Sequence, residues 1–155
     1  MVLQEIGVHA GRVLTVLDQL NAQTWVSKGA SETYVEQLDS SRQQARALGD
    51  EAKLLAHSPE KLSGSLQLFF RLEGLQNMIT SLEEGARKYQ GSQVAQELAA
   101  VYGEGGANRE RFRSYIVNLA AEREHQFEVM DREAQRCRAT FMAPTTPNKT
   151  SGRKK

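Results

Sequence analysis

Few residues in this chain have the type and spacing to do chemistry. Glu122-Arg-Glu-His125 sets a carboxylate and an imidazole three positions apart. At that spacing a helix presents both to one metal of a di-iron carboxylate bundle. Such a site also needs a second Glu-x-x-His and carboxylates from two further helices. Neither His9 nor His57 follows a glutamate by three residues, so Glu122 and His125 read first as part of a solvated, charged face. Glu5 and His9 stand at i, i+4, the spacing of a zinc-binding helical pair that takes a third ligand from elsewhere; a pair of surface residues is the simpler reading. Cys137 is the one cysteine, which excludes an internal disulfide framework and a cysteine-based zinc cluster within one chain. Arg136 and Arg138 flank it, and cations beside an exposed thiol favour thiolate chemistry, which makes Cys137 a redox candidate. Its helical spacing from Ala134 and Phe141 favours a small core residue instead. Gly103-Glu-Gly-Gly106 follows no strand and precedes no Lys-Ser/Thr, so it does not fit a phosphate cradle and reads as a joint. No nucleophile-elbow motif occurs. The expectation is a non-enzyme with no catalytic residue, no cofactor and no metal; Glu122, His125 and Cys137 stand as the weaker candidates.

The elements that position these residues are helices. Leu3, Ile6, Ala10, Val13, Leu17 and Leu20 recur at 3,4 spacing, one stripe of an α-helix. Trp25 anchors a connection, and Ser31 offers an N-cap to a second helix with Leu38, Ala45, Leu48, Ala52 and Leu55 on a thin, alanine-rich face. His57-Ser58-Pro59 punctuates the chain, with Ser58 as cap and Pro59 at the first helical position. The third helix, from Pro59 to Gln90, carries two overlapping stripes that include Phe69/Phe70, Leu68, Leu72, Leu75, Ile79 and Leu82, so it packs on more than one neighbour. Gly91-Ser92 ends it. A helical period then runs from Val94 to Phe141 as one kinked helix or as two broken near 104–107, where the glycines weaken helix by about 1 kcal/mol each. The short connections make neighbours antiparallel. The fold class is all-α: an elongated antiparallel bundle of three long helices plus an N-terminal helix. The helical-bundle domain is 1–142, followed by a disordered basic tail, 143–155.

Charge and termini narrow the function classes further. Twenty Lys+Arg against nineteen Asp+Glu is too balanced for a dedicated polyanion binder. Four of the positive charges lie in 143–155 with two prolines, a segment with too little apolar surface to offset its ordering entropy. A solubilising role for this tail is favoured over weak, salt-sensitive contact with nucleic acid or anionic lipid. Residues 108–138 hold seven basic and six acidic residues, a balance that argues against duplex binding by that helix. No run of eighteen apolar residues exists, so no membrane span is expected. Met1-Val-Leu-Gln-Glu lacks the basic and apolar regions of a secretory signal. The chain as given is therefore expected in the cytoplasm, or exported if the true start lies upstream.

Several segments carry a likeness to an uncharacterised family of bacterial all-helical proteins: Trp25-Val-Ser-Lys-Gly-Ala30, Ser58-Pro-Glu-Lys-Leu62, Phe70-Arg-Leu72, Ala107-Asn-Arg-Glu-Arg111 and Val129-Met-Asp-Arg-Glu-Ala-Gln-Arg-Cys137. The chain resembles that family over most of residues 13–141. The resemblance implies an all-helical fold and relatives that often begin with an export signal, and it brings no activity, ligand or catalytic residue. The functional expectation is a non-enzymatic helical bundle acting through protein–protein contacts, by self-association, as in a coiled coil, or with a protein partner. The alternative is a metal-binding or redox-responsive bundle using Glu122, His125 and Cys137.

Overall fold

The computed structural model describes residues 1–144. They form α1 (Val2–Leu17), α2 (Ala22–Ser27), α3 (Thr33–Leu55), α4 (Leu62–Tyr89), α5 (Ser92–Glu104) and α6 (Gly106–Met142), with no strand among the described residues. The chain is an all-α helical bundle. Residues 145–155, most of the expected basic tail, lie outside the described residues. The described part of the expected 1–142 domain divides into two units, Met1–Leu119 and the residues from Ala120 on.

In the first unit the stripes read from the sequence meet. Leu3, Ile6, Ala10, Val13 and Leu17 of α1 are buried, as are Leu38, Ala45, Leu48, Ala52 and Leu55 of α3. α3's small side chains are what allow α1 to lie close. A Cβ on Gly7 would stand 3.8 Å from both the Ala52 methyl and the Gly49 carbonyl oxygen, and one on Gly49 would stand 3.9 Å from the Ala10 methyl. The thin face is thus a close-packing face. Arg42 of α3 donates to the carbonyl oxygens of Leu17 and Leu20, at 3.3 and 3.2 Å. It thereby ties α3 to the end of α1, adding to the bond that the Leu17 carbonyl already accepts from the Leu20 N–H. Its pairing with the far end of α1 makes the two helices antiparallel.

α4 runs antiparallel to α3. Arg71 forks onto Glu51 at 2.9 and 2.7 Å, and Ser81 donates to Gln37 at 2.9 Å. Leu68, Leu72, Leu75, Ile79, Leu82 and Ala86 are buried between α3 on one side and α5 with the start of α6 on the other. This double use is what two overlapping stripes require. Phe69 packs against Phe112 with ring centroids 6.4 Å apart, whereas Phe70 is left exposed. α4 begins at Leu62, not Pro59. Pro59 lies in the preceding turn, and its carbonyl oxygen accepts a hydrogen bond from the Tyr115 hydroxyl at 2.5 Å. Gly91, at φ 122°, ends α4 and returns its N–H to the Ala86 carbonyl at 2.8 Å, a closure that needs the left-handed backbone glycine adopts readily.

Trp25 is more than an anchor in a connection. It sits in its own short helix, α2, fully buried against Tyr34 (centroids 5.5 Å, edge-on) and Tyr89 (6.4 Å, stacked). Gly85 makes the room, since a Cβ there would come within 2.8 Å of both Trp25 and Tyr34. The indole N–H donates to the Gln90 side-chain oxygen at 2.9 Å, and the Gln90 amide donates to the Gln19 carbonyl at 2.8 Å. One polar side chain at the end of α4 thereby ties the α1–α2 corner down.

Candidate functional site

Within the first unit the polar groups that converge are already occupied by one another. His9 Nε2 donates to the Val101 carbonyl oxygen at 2.5 Å, joining α1 to α5. A carbonyl only accepts, so this bond fixes the proton on Nε2. Glu5 pairs with Arg111. The Glu5/His9 pair is therefore divided between two structural partners. The break expected near 104–107 is confined to Gly105, where α5 gives way to α6. A Cβ at 105 would stand 2.5 Å from the His9 ring, so the glycine serves close approach of the imidazole. Beside it Arg109 donates to the Tyr102 hydroxyl at 2.5 Å, lies over its ring at 5.3 Å and stands 3.8 Å from Glu73. Burial raises the Tyr102 hydroxyl above its ordinary value, against the lowering pull of the Arg109 charge. The cavity between these groups and Ile6, Val13, Leu48 and Leu75 measures only about 20 Å³, room for about one water. No substrate fits there. His57 Nδ1 donates to the Lys53 carbonyl at 2.9 Å, a helix-end contact of the kind its place before Ser58-Pro59 suggests.

The second unit holds Glu122, His125 and Cys137 on the distal part of α6. Glu122 accepts from Gln126 at 3.3 Å. Among the described residues no group of three or more His, Cys, Asp or Glu is placed to hold a metal ion. Cys137 is exposed, which corrects the expectation that it is a small core residue. Ala134, Cys137 and Phe141 do share one face of the helix, and all three are exposed. From Ala121 to Pro144 every residue is exposed, including Phe127 (73%), Met130 (67%) and Phe141 (92%).

These side chains are in register. Ala120, Arg123, Phe127, Met130, Ala134, Cys137 and Phe141 alternate by three and four, the spacing of the a and d positions of a heptad repeat. Glu124, Asp131 and Arg138 fall at e, and Gln126, Glu133 and Thr140 at g, flanking that seam. The period itself was legible; the missing signal was that it continues past the last residue the bundle buries, Leu119. The candidate functional site is the exposed seam of Phe127, Met130 and Phe141. Among the described residues no helix is long and apolar enough to cross a membrane. Comparison of the chain with protein-family models, with curated proteins and with solved structures finds no match.

Proposed function

We propose that this chain is a non-enzymatic helical-bundle protein that acts through protein–protein contacts made by residues 120–142 of α6. The observation that carries the reading is the exposure of Phe127, Met130 and Phe141 on one heptad seam. Burying each such side chain is worth roughly 1.5–3 kcal/mol, and exposed large apolar groups gathered along one line mark contact surfaces. Helices in proteins draw most of their stability from packing of an apolar face, and along the distal helix that face is exposed. Its own local bonds, such as Gln135 to Asp131 at 3.1 Å, add only tenths of a kcal/mol each. A covering partner supplies what is missing.

The bundle unit serves as the folded platform. Its interhelical ties take up His9, Arg42, Arg71 and Gln90, and the cavity beside His9 and Arg109 admits about one water molecule. Sedimentation velocity of the full chain over a concentration series, with and without Phe127→Glu, tests the reading. Concentration-dependent association that Phe127→Glu abolishes while the circular dichroism stays the same is the expected result. Association indifferent to Phe127→Glu, or a strict monomer, contradicts it.

A further inference from the structure

Resting on that reading, we propose that the occupant of the seam is a second copy of the same helix, laid antiparallel so that Phe127 of one copy meets Cys137 of the other. In this register Met130 faces Ala134 and Arg123 faces Phe141, each pair occurring twice about the twofold axis.

Side-chain size carries the first argument. Every apolar layer of the antiparallel register sets a large residue against a small one, which is how facing positions fill space without voids. A parallel pair sets Phe on Phe and Met on Met, then Ala on Ala and Cys on Cys, alternating crowding with gaps. Shifting the antiparallel register by a heptad in either direction drops Phe127 or Phe141 out of the layers, so one register buries both.

Charge carries the second. Between 120 and 131 the helix holds Glu122, Glu124, Glu128 and Asp131 against Arg123; between 132 and 142 it holds Arg132, Arg136 and Arg138 against Glu133. The helix is acidic in its first half and basic in its second. Antiparallel pairing lays each half on its opposite, with Glu124 beside Arg138 of the second copy. Parallel pairing lays like on like and drives Arg123 against Arg123 inside the seam, where the antiparallel register gives that guanidinium the face of Phe141. In favour of a parallel pair stands the flanking match of Glu133 with Arg138, and against the antiparallel one stands the meeting of Asp131 and of Glu133 with its own copy near the axis. Both are solvent-exposed contacts of small weight, whereas a like-charge pair inside the seam sits where screening is poor.

The lone thiol makes the orientation measurable. In the antiparallel register the two Cys137 residues lie ten positions apart, about 15 Å along the helix axis, beyond the roughly 7 Å between Cα atoms that a disulfide tolerates. The full-length wild type is mixed with a full-length, differently sized Phe127→Cys, Cys137→Ala chain and oxidised with glutathione disulfide. The expected result is a mixed disulfide several-fold in excess of either homodisulfide. Because losing Phe127 weakens the seam, a second mixture pairs Met130→Cys with Ala134→Cys, both in Cys137→Ala; it is expected to give the same excess of mixed product. A wild type that sediments as a dimer and closes a Cys137–Cys137 disulfide overturns the antiparallel inference and leaves the contact-surface reading standing. A wild type that stays monomeric and cross-links in no mixture overturns both.

Discussion

α1 and the distal part of α6 carry the same kind of apolar stripe and meet opposite fates. Leu3, Ile6, Ala10, Val13 and Leu17 recur by three and four and are all buried; Phe127, Met130, Ala134, Cys137 and Phe141 recur by three and four and are all exposed. The difference lies in what faces them. α1 meets α3 through Gly7 and Gly49, small enough to bring the backbones together, and is tied at its end by Arg42 and Gln90. The distal seam is exposed over its whole described length from Phe127 on. Periodicity therefore reports that a helix face needs covering, and only the inventory of remaining elements tells whether the cover lies in the same molecule.

The largest effect that sharpens this contrast is expected in the bundle. Trp25→Ala removes a fully buried ring and orphans its Gln90 bond, and should cost about 3–5 kcal/mol in urea denaturation. Gly85→Ala puts a methyl within 2.8 Å of Trp25 and Tyr34, and overpacking of this kind is expected to cost about 1–3 kcal/mol in the same assay. Phe127→Glu, by contrast, should change the unfolding of the dilute monomer by less than about 0.5 kcal/mol. A large loss there would break the comparison, because it would mean that the bundle already uses Phe127.

The smallest effect is electrostatic. The folded Tyr102 hydroxyl holds its proton to higher pH than it does in the unfolded chain, chiefly through burial. Below about pH 10 both states are protonated and this contribution is fully present. As pH rises further the unfolded chain ionises first, and stability falls until the folded hydroxyl ionises too. Tyr102→Phe should flatten this alkaline decline relative to the wild type, as read by thermal melts across pH.

Much of the bundle was legible because 3,4 spacing maps directly onto a helix face. The all-α class, the stripes of α1, α3 and α4 and the weak point near 104–107 are of this kind. Three features were not legible, each for a tertiary reason. Gln90 becomes a tie only because the α1–α2 corner arrives beside it. Gly105 is required by the His9 ring and not by its own backbone angles, since its φ of −78° is open to any residue. Pro59 fits a helix start by local rule, yet its carbonyl is held in the turn by Tyr115. The misreading of Cys137 is the most instructive, because its position on a stripe was right and its burial did not follow.

Amide hydrogen exchange of residues 120–142 in the full chain, followed as a function of protein concentration, tests the central claim most directly. Protection that is weak in dilute solution and rises with concentration, centred on Phe127 to Cys137, is the predicted result. Exchange that stays fast at every concentration, or protection that is full even at high dilution, would contradict the claim that this seam is completed by another molecule.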